Sequence, residues 1–386
     1  MQKKIKNNMH MAMALGGFAI GTSEFVAMGI LPEMAQATQV SIAVAGQYIA
    51  FYAMGVVVGA PILAVLSAQM QRKLLLICLM LFYGIANLFS ACCSSYGWLL
   101  LSRFIAGLPH GVYFGTATFV AAELAAHAQK SKAVGNVMLG LTIATVFGAP
   151  LATYAGQVVG WRFVFVLVAL IAWVTAFLIA KLLPDSIVFA TSSARIELQA
   201  LKKPQLWYML MVVCVGASGL FCIFSYIKPI LQIEAGYALW QVPFIMPILG
   251  LGMVAGNILG PRLASYIGVE RTIIYSMLYS AFANGVFMFF CQQRFFAALA
   301  CFAIGLSFAS MPSIQVRIVS ISSKAPMLAG ALIQAAYNVA NALGAWGGGV
   351  LIASGYPFRY TAIVAMVTTL LGLLLFLWSL IQNPAV

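Results

Sequence analysis

Apolar residues in this 386-residue chain gather in long unbroken runs, not in alternating or striped patterns. Twelve runs are long enough to cross a bilayer as helices, which takes about 20 residues each. They fall at 9–31, 44–66, 74–93, 97–120, 133–157, 162–183, 206–231, 242–263, 271–290, 295–317, 327–352 and 359–381, and are numbered spans 1 to 12 below. A membrane barrel would instead show strands of about ten residues with alternating polarity. The predicted class is an all-α membrane protein of twelve transmembrane helices. Most polar breaks are short. The longest, 184–204, carries Asp185, Arg195, Glu197, Lys202 and Lys203. It divides the chain into a six-helix half at 1–183 and another at 205–386, with 184–204 as a linker loop.

Composition agrees with this pattern. Hydrophobic residues make up 63% of the chain and charged residues 7%, against roughly 25% charged in soluble domains. A net charge of +13 suggests nucleic acid as a partner, but the basic residues sit singly or in small groups between apolar runs. They read as topology signals. Fifteen of the twenty Lys and Arg residues fall in one set of loops and four in the other (Arg162, Lys228, Arg294 and Arg359), with Arg103 inside a span. The positive-inside rule then places both termini and the linker in the cytoplasm. The basic start, Lys3, Lys4 and Lys6, precedes a run too long for a leader's apolar region, so it reads as span 1 itself. The seven cysteines form no C-x-x-C pair and read as packing residues. No metal site or cofactor is predicted.

The two halves resemble each other. A shift of 197 residues superposes Pro32 on Pro229, Gly55 on Gly252, Gly59 on Gly256, Asn87 on Asn284 and Arg162 on Arg359. Parallel six-span repeats are a transporter plan, with the site between them. The same shift carries Glu24 to Phe221 and Arg103 to Ala300, so the charged chemistry belongs to the first half alone.

Glu24 is a carboxylate inside span 1, and an ionisable residue there is a functional-site hypothesis by default. Arg103 in span 4 lies roughly 9 Å below the outer boundary, and Glu24 roughly 21 Å above the inner one. In a core of about 30 Å these depths coincide. The two are therefore expected neighbours, either as a proton-responsive pair facing a cavity or as a fixed strut between spans 1 and 4. His110 follows Arg103 by seven residues, on the same helical face, and is a candidate proton relay or substrate ligand, or else a hydrogen-bonded packing histidine. Gln334, Asn338 and Asn341 make an inward polar face on span 11, because unpaired amides facing lipid are costly. Tyr48, Tyr52, Tyr113, Tyr226 and Asn284 are further substrate-site candidates. Lys228 either snorkels to the interface or faces the cavity mouth. Gly140, Ala144, Gly148 and Ala152 form a small-residue stripe beside Pro150, suited to close helix packing or to a pivot between the halves.

The segments GTSEFVAMGILPEMA, SRFIAGLPHGVYFG, GAPLATYAG, FSYIKP and GLGMVAGN together resemble the major facilitator superfamily. Within it the chain is similar to the twelve-span drug:proton antiporter type and to its arabinose-efflux-permease-like (AraJ-type) group. That resemblance implies alternating access in a bacterial inner membrane. Arg103 and Gly107 match the span-4 pattern R-x-x-x-G, whose arginine is associated with proton coupling. Gly140, Gly148, Pro150 and Gly156 match a loosened span-5 antiporter pattern, which implies export. The loop between spans 2 and 3 departs from the family's D-R-x-G-R-[RK]: here Ala68, Gln69 and Gln71 replace the acid, the first basic residue and the glycine, and only Arg72 and Lys73 remain. The expected function is proton-coupled efflux of a small organic solute (a sugar, a drug-like amphiphile or a metabolite). The expected partners are that solute, protons and the lipid bilayer. The expected protein is a non-enzymatic monomer without nucleic acid. The alternatives are a facilitator or importer of the same fold and, more remotely, a non-transporting receptor.

Overall fold

The computed structural model describes residues 2–67, 69–124, 130–183, 202–322 and 326–382. Asp185, Arg195 and Glu197 of the linker, Ala68 and Lys324 lie outside the described residues, as do the side chains of Lys3, Lys4, Lys6, Lys130 and Lys132. The described residues are helical with short connections and contain no strand. Eleven segments are long and apolar enough to cross a membrane: Asn8–Gly29, Ile42–Ala64, Arg72–Cys92, Tyr96–Leu124, Ala133–Val158, Trp161–Leu182, Pro204–Ser225, Val242–Ile267, Val269–Phe290, Arg294–Ile321 and Phe358–Gln382. These are spans 1 to 10 and 12. The predicted span 11 is the helix Pro326–Ala353, 28 residues without a charge. Gln334, Asn338 and Asn341 lower its apolar character, which is why it stands apart from the other eleven.

Backbone chemistry explains where the spans bend. Proline has no N–H for the i→i−4 ladder and crowds the preceding turn. Span 4 breaks between Gly107 and His110, at Pro109. Span 5 opens into a π-turn at Ala144–Gly148, ahead of Pro150. Span 10 tightens to a 3-10 turn at Ser307–Ala309, ahead of Pro312.

The packing order of the first half recurs in the second. Span 1 lies along spans 5 and 6, span 2 along span 4, and span 3 along span 6; six spans later, 7 lies along 11 and 12, 8 along 10, and 9 along 12. The repeat reaches individual atoms. A Cβ built on Gly55 would lie 2.0 Å from the Phe104 carbonyl oxygen, and one on Gly107 2.1 Å from that of Tyr52. The matching distances in the second half are 2.2 Å from Gly252 to Phe302 and 2.1 Å from Gly305 to Leu249. Only glycine lets these backbones approach so closely. The halves meet along two further seams related by the same repeat, span 2 on span 11 and span 5 on span 8. Large apolar side chains such as Phe177, Phe282, Phe289 and Leu374 stay exposed on the outside, as a surface facing lipid requires. Span 1 is the most enclosed of those eleven, with 78% of its apolar window buried against 33% for span 12.

Candidate functional site

Between the halves lies a cavity of about 70 Å³. The first half contributes Glu24, Phe25, Leu141, Thr142 and Thr145 from spans 1 and 5. The second contributes Phe221, Met253, Asn257, Phe308, Gln334, Tyr337 and Asn338 from spans 7, 8, 10 and 11. Glu24 is the one charged side chain among these lining residues. Of the residues singled out in the sequence, Glu24, Gln334 and Asn338 line this space. Asn338 donates from Nδ2 to the Gln334 carbonyl at 3.0 Å, leaving its own Oδ1 without a partner. Asn341, one turn further along span 11, is fully buried beside Glu24, and neither of its amide atoms completes a hydrogen bond. Asn257, Thr142, Thr145 and the aromatic walls were not singled out. Asn257 sits in the quoted GLGMVAGN segment, the one sequence signal that reached it.

Glu24 and Arg103 are close enough to feel each other's charge but do not form an ion pair. Arg103 grips the preceding residue instead. Its Nη1 donates to Ser23 Oγ at 3.1 Å and its Nη2 to the Ser23 carbonyl at 3.2 Å. The guanidinium lies 4.5 Å from the Tyr52 ring centroid and 5.2 Å from that of Phe165, where cation–π attraction is strong because water is excluded. Successive helical residues point about 100° apart, so span 1 turns Ser23 into the first-half core and Glu24 into the cavity. The fixed contact and the free carboxylate therefore belong to neighbouring residues.

Around Arg103 the polar groups form a chain. Ser23 Oγ donates to Asn87 Oδ1 at 2.7 Å, and Asn87 Nδ2 donates to the Tyr83 carbonyl at 2.9 Å. Tyr83 Oη lies 3.3 Å from Tyr52 Oη, which lies 3.0 Å from His110 Nδ1. His110 packs its ring on Tyr52 and Phe114 and keeps Nε2 without a partner. Arg103 and His110 are thus joined through Tyr52, across the break in span 4.

The remaining candidates sit elsewhere. Tyr113 donates to the Met13 carbonyl at 2.8 Å and ties span 4 to span 1. Tyr48 Oη lies 2.7 Å from Thr38 Oγ1, at the end of span 2. Tyr226 donates to the Ala345 carbonyl at 2.7 Å. Asn284 is buried in span 9 with neither amide atom bonded. The span-5 stripe packs on span 1: a Cβ on Gly140 would lie 1.9 Å from the Ala14 carbonyl oxygen, and Gly148 and Gly156 abut Thr22 and Ile30. Pro150 follows the π-turn of that span. Arg72 is buried at the start of span 3, where its Nη1 donates to the Ser67 carbonyl at 3.4 Å, with Lys73 beside it.

One end of the cavity is shut by contacts between the halves. Phe25 stacks on Phe224, with ring centroids 5.5 Å apart. Beyond them Lys228, 1% exposed, forms an ion pair with Glu33. These two residues flank the repeat-related prolines Pro229 and Pro32.

The sequence pattern of the Major Facilitator Superfamily matches residues 13–331, most of the chain. The chain belongs to that superfamily. It is 34% identical to the inner membrane transport protein YdhP of Escherichia coli (strain K12) over 97% of this chain and 96% of that one. It is 32% identical to the putative transporter AraJ of the same strain, over 92% of this chain and 90% of the other. Among solved structures the D-xylose–proton symporter superposes with a TM-score of 0.78 at 17% identity, covering 96% of both chains. That last likeness is one of fold. Superfamily membership, the helices and the central cavity together make this chain a multi-pass membrane transporter.

Proposed function

We propose that the protein is a proton-coupled exporter of a small neutral or cationic organic solute, working by alternating access to the central cavity. One observation carries this reading: among the described residues Glu24 is the only charged side chain lining the space between the halves, and no basic one lines it. A carboxylate can hold a proton or face a cation, and nothing in the lining balances an anion. The amides of Asn257, Gln334 and Asn338 and the hydroxyls of Thr142 and Thr145 would orient polar groups of the solute. Phe221, Phe308 and Tyr337 would cover its apolar faces.

In this reading Arg103 and His110 are positioning groups behind Glu24. Arg103 fixes Ser23, and so fixes the direction in which Glu24 points. The closed end at Glu33 and Lys228 is the outward gate, consistent with the loop charges, which place both termini in the cytoplasm. The division into 1–183, a linker at 184–204 and 205–386 lets the halves rock about this gate. Span 5, packed on span 1 and span 8, carries the Gly140, Gly148, Pro150 and Gly156 pattern that favours export. The solute does not change chemically, so the protein is no enzyme, and one chain holds the whole cavity, as a working monomer needs.

The test uses proteoliposomes loaded with a pH-sensitive dye and challenged with neutral sugars and with quaternary-ammonium amphiphiles. A solute taken up in exchange for protons supports the reading. Proton movement in the same direction as the solute identifies an importer, and solute movement indifferent to the pH gradient identifies a facilitator.

A further inference from the structure

We propose that Asn341 is the hydrogen-bond partner of Glu24 in both of its protonation states, so that proton binding on the first half is read by the second. This rests on the reading of Glu24 as the proton site. Two buried polar groups face each other across the seam. Asn341 has no exposed surface, and neither of its amide atoms reaches a partner at full hydrogen-bond geometry, Glu24 being the group within bonding reach. The Glu24 carboxylate is the side chain it confronts. A fully buried amide without partners is rare and costly in a settled structure. It is expected where the amide must re-form its bond each time the neighbouring group changes state.

The chemistry of the amide suits that task. A carboxylate only accepts hydrogen bonds, whereas a carboxylic acid also donates one. An asparagine side chain offers a donor, Nδ2–H, and an acceptor, Oδ1. Ionised Glu24 takes the Nδ2–H. Once a proton from water has added to Glu24, its O–H donates to Oδ1 after the amide turns over. No bond is broken and no other group need ionise. The charged and titratable groups facing Glu24 are Arg103 of span 4, Tyr52 of span 2 and, across the cavity, Tyr337 of span 11. Arg103 is held on Ser23 and by two rings, and Tyr52 is engaged with His110 and Tyr83. Asn341 is thus the second-half group within bonding reach of Glu24 that has both a donor and an acceptor to spare, where Asn338 spends its donor on the Gln334 carbonyl. The same proton then alters a bond across the seam, and a bond across the seam is what biases one arrangement of the halves over another.

Infrared titration of the purified full-length protein tests this without a solute, since the proton is the ligand. Acidifying the wild type should raise a carboxylic-acid carbonyl band that is missing from Glu24→Gln. In Asn341→Leu that band should persist but move to higher frequency, as it does when an acid loses its hydrogen-bond acceptor. Asn341→Gln should restore it, and Asn284→Leu should leave it in place. Asn341→Ala and Asn341→Ser provide the same readout should the leucine variant fail to fold. A Glu24 band unmoved in the Asn341 variants overturns the proposal while leaving Glu24 as the proton site. A wild type lacking any band that Glu24→Gln removes overturns both.

Discussion

Asn87 and Asn284 occupy matching positions in the two halves, and their fates differ. Asn87 accepts from Ser23 and donates to Tyr83, inside the chain that ends on Arg103 and His110. Asn284 is as deeply buried and bonds to nothing. The repeat shift explains why: Ser23, Tyr83 and Arg103 become Leu220, Ser280 and Ala300. Leu220 and Ser280 line a small gap of about 20 Å³ inside the second half, room for about one water, together with Ser307, Ser310 and Thr369. The halves share their helix order and glycine contacts, yet the polar core of one is braced by hydrogen bonds and that of the other leaves its asparagine unbonded. A braced half can hold a carboxylate at a fixed angle to the cavity. A looser half can rearrange against it.

That contrast can be broken by substitution. Arg103→Ala removes two hydrogen bonds, two ring contacts and a large buried volume. It should cost on the order of 4 kcal/mol, read as a large drop in the thermal midpoint in detergent. Arg103→Lys should rescue little, because an ammonium cannot span both Ser23 oxygens as a planar fork does. Next in size are Gly55→Ala and Gly252→Ala. Each forces a Cβ into a carbonyl oxygen, so each should lose about 1–3 kcal/mol, and by similar amounts, since here the halves are alike. Smallest and sharpest is the asparagine pair. Asn87→Leu should cost about 1–3 kcal/mol by stranding the Ser23 and Tyr83 groups. Asn284→Leu should be neutral or stabilising, because it removes two unbonded atoms from an apolar setting. Equal losses at both asparagines would contradict the contrast.

Much of this architecture was legible in the sequence, because a bilayer demands unbroken apolar runs and the repeat preserves the glycines of the tightest crossings. The spans predicted from those runs agree with the helices to within a few residues, apart from spans 4, 8 and 10, whose helices run four residues further, and span 7, which ends six residues earlier. Equal depth brought Glu24 near Arg103. Depth alone could not show that Arg103 binds Ser23, because a serine in an apolar run carries no visible signal. The Glu33–Lys228 pair was nearer to hand. Pro32 and Pro229 match under the repeat, and matched positions close to a pseudo-two-fold axis meet each other. Asn257 and Phe308 became visible only once four helices had been placed around one space.

The most direct test of the central claim concerns Glu24 as the proton-bearing group of the cavity. Reconstitute wild type and Glu24→Gln in liposomes holding a pH-sensitive dye, and add a solute that the wild type transports under an imposed pH gradient. The account predicts solute-driven proton movement in the wild type and none in Glu24→Gln, whose fold persists. Undiminished proton movement in Glu24→Gln would contradict it.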